Sequence, residues 1–347
     1  MDAKELKILA VGIGEMGKVG VKVMYEHGLN IVAAIDIHPD IIGKDLGEYC
    51  GFQATGLVIE DAADVEAIIE REKPDFAFMA SVSELELLEE QLLLFAQNGM
   101  NVITTGIEPY YPWNANPELA KKIDDAYQSN GVSLMASGIN DIFWSGIGMD
   151  LAGTCNHIES IDFTNKLPLE GMGAGVAEEF CMNWDPGKFR AEMADKDLSA
   201  DPSVGGPLLA LYVNADILGL HVKNVNITLN PLIASEDMPM PQWNMTIEKG
   251  NMLGQSFDIE MTTEEGVLCT TSMIIKVLEE GEKPGTSWTI KGEPNLHLDL
   301  GDICGEITTS AISVNRIPDV IAARPGIVTL KDVQVRPGYR HGQWKEI

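Results

Sequence analysis

The sequence predicts an α/β protein with a doubly wound parallel sheet, followed by a second, α+β domain whose sheet is mainly antiparallel. Apolar runs and amphipathic segments alternate from the N-terminus to Gly138, as in repeated β–α–β units. Beyond Gly138, longer stretches alternate apolar and polar residues, which is typical of strands with one solvated face. A length of 347 residues also favours two domains.

The first three predicted elements are the best defined. Leu6 to Ile13 is a continuous apolar run, as expected for a strand that is buried on both faces. Gly14 to His27 is predicted to be a helix, and Asn30 to Ile37 a second buried strand. Together they form the first β–α–β unit.

The same alternation continues along the first domain. Ser83 and Glu86 have the spacing of a capping box, which predicts a helix that begins there and ends near Asn98. The remaining predicted strands lie at 75–81, 101–106 and 132–138, and the remaining predicted helices at 61–73 and 117–129.

The second domain is predicted from its alternating stretches. Its strands are predicted at 158–167, 221–232, 243–248, 256–262 and 267–277, its helices at 176–194 and 207–219, and a glycine-rich loop at 171–175. The apolar-patterned helix from Ile303 to Asn315 is predicted to return to the first domain. The expected domains are therefore 1–137 with 303–347, and 138–302.

The charge of the chain limits its partners. Asp and Glu number 53 against 24 Lys and Arg, so the formal net charge is −29. Such a surface repels nucleic acid phosphates and anionic lipids, and neither is an expected partner. An acidic field mildly favours cationic substrates, although solubility or adaptation to salt explains the charge more simply.

The number and spacing of the cysteines and histidines predict neither disulfide bonds nor a metal site. Five cysteines without a C-x-x-C pair, and six scattered histidines, give neither a disulfide framework nor a metal-ligand spacing. No apolar run approaches the roughly 18 residues that span a membrane. We therefore expect a cytoplasmic protein without a metal site.

A glycine-rich run directly follows the first strand: Gly12-Ile13-Gly14-Glu15-Met16-Gly17. In a G-x-G-x-x-G run, the first glycine permits a tight turn, the second lets a pyrophosphate approach the backbone, and the third allows close helix–strand packing. The helix N-terminus that follows supplies N–H donors for phosphates. The position of the run predicts a Rossmann dinucleotide site that includes Glu15 and Met16.

Asp36 ends the second strand and indicates which dinucleotide binds. A carboxylate at this place accepts hydrogen bonds from the adenosine ribose hydroxyls and repels a 2′-phosphate. NAD is therefore the first choice of cofactor. His38 and Lys44 follow closely and could soften the discrimination, so NADP remains open.

The reaction centre is expected beyond the carboxyl ends of the strands. Ser81 and Val82 at one strand end are predicted to line the nicotinamide ribose. Glu108 is the only ionisable side chain at the next strand end, and an aromatic turn, Pro109–Trp113, follows it. A carboxylate against an aromatic wall can act as an acid–base group. From the residues alone, an exposed loop glutamate fits equally well.

Three motifs carry a family resemblance over essentially the whole chain. Together with the glycine run, the segments Asn101–Trp113, Ser137–Trp144 and Thr309–Pro318 resemble the family of 2,4-diaminopentanoate dehydrogenase and the related native amine dehydrogenases. Their N-terminal domain is similar to that of dihydrodipicolinate reductase. The resemblance implies NAD(P)-dependent oxidative deamination of an amine, or reductive amination of a ketone or aldehyde with ammonia. It also implies a homodimer.

The resemblance implies roles for individual residues. Glu108 corresponds to the catalytic glutamate, and Phe143 and Trp144 to apolar walls of the substrate pocket. Thr309 would approach the substrate from the returning helix, and Asn315 would bind the cofactor. Without the resemblance, Phe143 and Trp144 would more often be core residues.

The chain departs from dihydrodipicolinate reductase where that enzyme grips a diacid. The histidine pair and lysine are missing, His157 is single, and a diacid substrate is therefore not expected. Whether Arg190, Arg316 or Arg324 meets a substrate carboxylate stays open. The substrate is thus 2,4-diaminopentanoate or a simple alkyl amine or ketone. Two different functions also fit these residues: an imine or carbonyl reductase on the same architecture, and a non-catalytic NAD-binding protein.

Overall fold

The computed structural model describes residues 5–170, 175–196, 198, 202–333 and 344. The chain divides into two compact units. Unit 1 comprises Met1–Ile142 and Cys304–Ile347, and unit 2 comprises Phe143–Ile303. The sequence predicts these boundaries at 137/138 and 302/303.

Strands and helices alternate in unit 1 and are more segregated in unit 2. The strands are β1 (Lys7–Val11), β2 (Asn30–Asp36), β3 (Ile59–Asp61), β4 (Phe76–Met79), β5 (Asn101–Thr104), β6 (Ser133–Ala136), β7 (His157–Pro168), β8 (Val222–Ile233), β9 (Met238–Met240), β10 (Met245–Ile247), β11 (Met252–Thr263), β12 (Leu268–Lys276), β13 (Gly285–Glu293), β14 (Leu296–Gly301) and β15 (Gly326–Val328). The α-helices are α1 (Glu15–Glu26), α2 (Leu46–Tyr49), α3 (Val65–Glu72), α4 (Leu85–Gln97), α5 (Pro112–Ala115), α6 (Pro117–Asn130), α7 (Ile139–Asp141), α8 (Ile147–Ala152), α9 (Gly175–Glu179), α10 (Pro186–Met193), α11 (Pro202–Leu218), α12 (Gly305–Asn315) and α13 (Ile317–Ala322).

Unit 1 is built on a seven-stranded sheet in the order β15-β6-β5-β4-β1-β2-β3. All its strand pairs are parallel. Side chains of β1 alternate between two apolar clusters: Ile8 and Ala10 belong to one, Leu9 and Val11 to the other. Because a strand covered on both faces must be apolar throughout, the continuous apolar run predicted this sheet correctly. The predicted Rossmann-type fold is confirmed.

The last part of the chain adds to unit 1. Strand β15 pairs with β6, and the Ser310 hydroxyl of α12 donates to the Met16 carbonyl of α1 (3.3 Å). A buried ion pair joins the C-terminal end of α12 to α7, because Arg316 Nη2 lies 2.8 Å from Asp141 Oδ1 and both side chains are fully buried. Helix α12 is thereby held against both the start of α1 and α7.

Unit 2 is built on a six-stranded sheet in the order β14-β13-β7-β12-β11-β8. Four of its five strand pairs are antiparallel, and β7 with β12 is parallel. One face carries the apolar core of the unit, which includes Phe163, Met273 and Trp288 from the sheet and Leu208 and Leu211 from α11. The predicted α+β class with a mainly antiparallel sheet is confirmed.

One helix of unit 2 differs from the sequence-based interpretation. The helix predicted at 176–194 consists of α9 and α10, and Asn183 between them has a positive φ of 61°. Most of the glycine-rich loop predicted at 171–175 lies outside the described residues. Among the described residues, no helix is long and apolar enough to cross a membrane.

Candidate active site

The glycine run forms a tight turn between β1 and α1. Gly12 has a φ of +78°, and a Cβ there would lie 2.7 Å from the Ala80 carbonyl oxygen. A Cβ at Gly17 would overlap the Gly12 carbonyl oxygen, whereas a Cβ at Gly14 would meet nothing within 4 Å. The protein itself therefore requires two of the glycines. Gly14 leaves open space over the backbone, as a bound pyrophosphate needs.

Helix α1 begins directly after this turn. Its first residue is Glu15, and its N-cap is Gly14, which has no side chain to cap the helix. The exposed Glu15 carboxylate instead pairs with Lys18 at 2.7 Å. The N–H donors of the first turn and the positive end of the helix dipole therefore favour an anion at this end.

Asp36 connects the end of β2 to the glycine turn. Its carboxylate is 9% exposed and accepts hydrogen bonds from the Ile13 N–H (2.6 Å) and the His38 N–H (2.8 Å). Each carboxylate oxygen has a second lone pair, so Asp36 can also accept from ribose hydroxyls. The side chain thus holds the glycine turn in place and keeps acceptor capacity for a ligand.

A cleft of ≈ 430 Å³ lies at the carboxyl ends of β1, β2 and β4. It brings together five residues that the sequence predicted to bind the cofactor: Gly12, Gly14, Asp36, Ser81 and Val82. Its size and its position at the strand ends are those of a nucleotide site in an open α/β sheet.

Two exposed apolar side chains at this cleft were missed by the sequence analysis. Ile37 is 81% exposed and Leu87 is 67% exposed, and both line the cleft. The sequence around them does not predict that they are exposed. Ile37 has the appearance of the last residue of a buried strand, and Leu87 is one of several leucines in α4. Exposed apolar side chains that line a cleft are typical of a ligand-binding site.

Three further predicted residues of unit 1, Met16, Thr309 and Asn315, lie on or against α12. Met16 accepts from Ser310 through its carbonyl oxygen and its sulfur, both at 3.3 Å. Thr309 is 8% exposed, and its hydroxyl oxygen accepts from the Ile139 N–H (3.2 Å). Asn315 has a buried Oδ1 with no partner among the described residues. A buried acceptor without a donor is the group that a cofactor amide would satisfy.

Glu108 follows β5 in a short 3₁₀ turn, Glu108–Tyr110. Its half-buried carboxylate accepts from the Leu85 N–H at 2.6 Å, and its own N–H donates to the Ser83 carbonyl at 3.1 Å. The predicted Ser83–Glu86 capping box is wrong, because α4 begins at Leu85 and its N-cap residue makes no side-chain cap. Instead, Glu108 from the neighbouring loop accepts from the N–H of Leu85, the first residue of the helix.

Phe143 and Trp144 lie in unit 2, in a π-helical turn at Ile142–Gly146. Both are half-buried, and the Trp144 ring lies 6.2 Å from that of Phe163. Two side chains donate to their carbonyl oxygens: the Trp288 indole N–H to Phe143 (2.9 Å) and the Asn214 amide to Trp144 (3.1 Å). The sequence gave no signal for Asn214 and Trp288, which lie 70 and 145 residues from their acceptors.

Residues 147–344 match the family model described as the 2,4-diaminopentanoate dehydrogenase C-terminal domain, which is more than half of the chain. The chain belongs to the 2,4-diaminopentanoate dehydrogenase family. It is 24% identical over 346 residues to the 2,4-diaminopentanoate dehydrogenase of Acetoanaerobium sticklandii, covering 96% of this chain and 94% of that protein.

Solved structures agree with this membership. The amine dehydrogenase of Mycobacterium smegmatis is 31% identical, with a TM-score of 0.80 over 97% of this chain and 98% of that one. Similarity to the myo-inositol dehydrogenase of Lactobacillus casei, at 15% identity and a TM-score of 0.54 over 86% of this chain and 75% of that one, shows the fold alone. At the level of the family, the predictions of an oxidoreductase acting on CH–NH2 groups and of NAD(P) dependence are confirmed.

Burial raises the pKa of the Cys50 and Cys269 thiols to about 11, so neither is a ready nucleophile. Among the described residues, no three His, Cys, Asp or Glu side chains are grouped so as to hold a metal ion. The residues that line the cleft do fit a dinucleotide, on the evidence of the open Gly14 backbone and the Asp36 carboxylate.

Proposed function

We propose that this protein catalyses the NAD(P)-dependent oxidative deamination of a small amine, and the reverse reductive amination of a ketone or aldehyde with ammonia, with Glu108 as the acid–base group. The observation that carries the proposal is the placement of Glu108. Its carboxylate accepts from Leu85 at the start of α4 and its N–H donates to Ser83 in the β4–α4 loop, and both partners lie within four residues of Ser81 and Val82 in the cleft.

The topology supports this placement. Strands β4 and β5 are parallel neighbours, so the loops after them meet at the same edge of the sheet. Ser81 and Val82 follow β4, and Glu108 follows β5. A carboxylate at this edge is close to where the reactive end of a bound dinucleotide is expected in such a sheet.

The chemistry requires one acid–base group. In oxidation, Glu108 accepts a proton from the substrate ammonium, because hydride leaves only from the neutral amine. Bound NAD(P) supplies the hydride acceptor. Once Glu108 has passed this proton to solvent, its carboxylate stabilises the cationic iminium that forms as hydride leaves, and it takes a proton from the water that attacks the iminium carbon. The carbinolamine that results then collapses to the carbonyl product and ammonia. In the reverse direction, Glu108 protonates the hydroxyl that leaves the carbinolamine.

The cofactor would be held mainly by unit 1. The N-terminus of α1, with Gly12, Gly14, Glu15, Met16 and Gly17, would take the pyrophosphate. Asp36 would accept from the adenosine ribose, Ser81 and Val82 would line the cleft, and Asn315 would accept from an amide.

NAD is the proposed preference, with NADP as the alternative. The buried Asp36 carboxylate repels a 2′-phosphate. Of the nearby cations, Lys18 pairs with Glu15 at 2.7 Å, while Lys44 lies 5.4 Å from the centroid of the Tyr49 ring. A higher kcat/KM with NADH than with NADPH supports the preference, and the opposite order contradicts it.

For the substrate, the structure favours an amine without a carboxylate over 2,4-diaminopentanoate. Arg316 is fully buried and pairs with Asp141 and Asp319, both at 2.8 Å. Arg324 pairs with Asp332 at 2.8 Å. Of the three arginines considered for a substrate carboxylate, these two are therefore engaged, and Arg190 is exposed on α10. Phe143 and Trp144 would contact an apolar substrate. 2,4-Diaminopentanoate remains the second candidate because of the family.

We also propose a cytoplasmic homodimer. All five cysteines are free, which suits a reducing compartment. The face of the unit 2 sheet opposite its core carries hydrogen-bonded polar side chains, such as Asp258, which accepts from Ser272 (2.6 Å) and Asn230 (2.8 Å). The homodimer is what the family resemblance implies, and this face of the sheet is the proposed contact between the subunits. Light scattering after size-exclusion chromatography measures the oligomeric state directly.

Two substitutions of Glu108 test the catalytic proposal. Glu108→Gln keeps an oxygen that can accept from the Leu85 N–H, so it should stay folded. It should nevertheless lose ammonia-dependent NADH oxidation by roughly 100-fold or more, because the amide cannot move a proton. Glu108→Ala should lose activity and also destabilise the protein by about 1 kcal/mol, because the cap of α4 is removed.

The assay combines NADH, ammonia and a panel of short ketones and aldehydes. Glu84→Gln is the matched control, since Glu84 is an exposed carboxylate in the neighbouring loop, and it should keep near wild-type activity. Activity of Glu108→Gln within a factor of two of wild type would contradict the assignment. Turnover that persists without ammonia would favour a carbonyl or imine reductase, and NADH binding without any turnover a non-catalytic protein.

A further inference from the structure

The π turn of unit 2 is held by two buried side chains from distant elements. Trp288 on β13 is 1% exposed and donates to the Phe143 carbonyl, and Asn214 on α11 is 3% exposed and donates to the Trp144 carbonyl. Two successive peptide carbonyls thus each receive a side-chain N–H. Such a pairing fixes the rotation of both peptide planes.

A π turn needs such support more than an α-helical turn does. π-Helical turns are rare and occur mostly as single turns, often at functional sites. A carbonyl oxygen has two lone pairs and can accept a side-chain N–H in addition to a helix bond. Buried polar groups that lose such a partner carry a desolvation cost, so the two donors stabilise this turn over a regular helix.

The position of Trp288 is itself set by packing. A Cβ at Gly148, on α8, would overlap the Trp288 ring, so only glycine lets the indole lie this close to the helix. On its other side, Trp288 packs on Phe163 with 4.9 Å between ring centroids, and Phe163 also contacts Trp144. The donor of the Phe143 carbonyl is therefore rigid, and the aromatic cluster connects it to the Trp144 ring.

We propose that Asn214 and Trp288 are positioning residues that set the shape of the substrate pocket by fixing Phe143 and Trp144. This inference rests on the proposed function, in which those two side chains contact the apolar part of the substrate. Neither Asn214 nor Trp288 needs to touch the substrate. Their effect passes through the two main-chain carbonyls.

Asn214→Leu and Trp288→Phe test the inference, because each removes one N–H donor and keeps much of the buried volume. Each should raise KM for the carbonyl substrate roughly five- to tenfold, the size expected for one lost hydrogen bond, with a smaller change in kcat. The ratio of kcat/KM between a long and a short ketone should also change. Affinity for NADH should stay that of wild type, because its proposed site lies in unit 1.

Matched controls separate positioning from general damage to unit 2. Thr263→Val removes a side-chain bond to the Val267 carbonyl (2.9 Å) at the β11–β12 hairpin, and Trp243→Phe shortens another buried tryptophan. Both should leave KM and the ketone ratio unchanged. If Asn214→Leu and Trp288→Phe behave like these controls, the inference is wrong.

Hydrogen exchange of the segment 142–149 provides a readout that does not depend on turnover. Faster exchange there in Asn214→Leu than in Thr263→Val supports the inference, and equal exchange overturns it. Absence of ammonia-dependent turnover in the wild type would overturn the proposed function instead. The two failures are therefore distinguishable.

Discussion

The two units fix their candidate functional segments in opposite ways. In unit 1, the glycine turn offers main-chain N–H groups and open space, and Gly14 has no neighbour that a Cβ would meet within 4 Å. In unit 2, the main-chain carbonyls of Phe143 and Trp144 are taken by the side chains of Trp288 and Asn214. The glycine turn depends on the absence of side chains, whereas the turn at Phe143 and Trp144 depends on two side chains that donate to it.

This difference determines which substitutions matter in each unit. Adding a methyl group to the glycine turn should block ligand binding or destabilise the fold. Removing the side-chain donor of Asn214 or Trp288 should instead make the turn that carries Phe143 and Trp144 more mobile. Unit 1 nevertheless contains a buried cluster of polar side chains, Asp141, Arg316 and Ser137. At this cluster, unit 1 is therefore expected to depend on buried side chains, as unit 2 does.

The largest effect is expected for Asp141→Asn. The variant leaves the Arg316 guanidinium, whose side chain is 0% exposed, without the carboxylate that accepts from its Nε and Nη2. Removing one partner of a buried ion pair typically costs about 3–5 kcal/mol. The free energy of unfolding should fall by that amount in urea denaturation. If unit 1 depended only on its main chain, the loss would be far smaller.

Two further variants check the cause. Asp319→Asn removes the partner whose side chain is 20% exposed, and it should cost less than Asp141→Asn. The double variant Asp141→Leu with Arg316→Met removes both charges and should recover much of the loss, since it leaves no uncompensated buried charge. A loss under about 1 kcal/mol for Asp141→Asn would contradict the prediction.

This ion pair also shows where sequence reasoning ends. The glycine turn, Asp36 and the strand ends were predictable because each depends on local backbone geometry and on a fixed position relative to a strand. Asp141 and Arg316 are 175 residues apart, and Asn214 and Trp144 are 70 apart. Each of these contacts depends on how whole elements pack, which no spacing encodes. The capping of α4 by Glu108 was missed for the same reason.

An intermediate effect is expected for Gly17→Ala and Gly14→Ala, which should separate packing from binding. At Gly17 a methyl group overlaps the Gly12 carbonyl, so the variant should lose about 1–3 kcal/mol of stability through overpacking. Gly14→Ala should lose less than about 1 kcal/mol but bind NADH at least about tenfold more weakly, because its methyl group occupies the space for the pyrophosphate. Denaturation and NADH fluorescence titration measure the two quantities.

Gly17→Ala should therefore lose more stability, and Gly14→Ala should lose more affinity for NADH once the affinity is corrected for the fraction of folded protein. NADH affinity of Gly14→Ala equal to that of wild type would show that the phosphates do not approach the backbone there. The contrast between an open segment in unit 1 and a supported segment in unit 2 would then fail.

The smallest effect is expected for His221→Gln in unit 2, where a side-chain contact is exposed rather than buried. His221 Nδ1 lies 2.6 Å from Glu265 Oε1, and this hydrogen bond raises the pKa of His221 above 6.5 and lowers the pKa of Glu265 below 4.5. The contribution of the His221 charge to folding stability is complete below pH 6.5 and is lost as the pH rises through the raised pKa of His221. The contribution of the Glu265 charge to folding stability is complete above pH 4.5 and is lost as the pH falls through the lowered pKa of Glu265.

His221→Gln should therefore lower the unfolding temperature most between pH 4.5 and pH 6.5 and least in alkaline buffer. Because the pair is solvent-screened, the difference should be small and should shrink in high salt. An equal difference at all pH values would show that the contact acts through packing instead of charge.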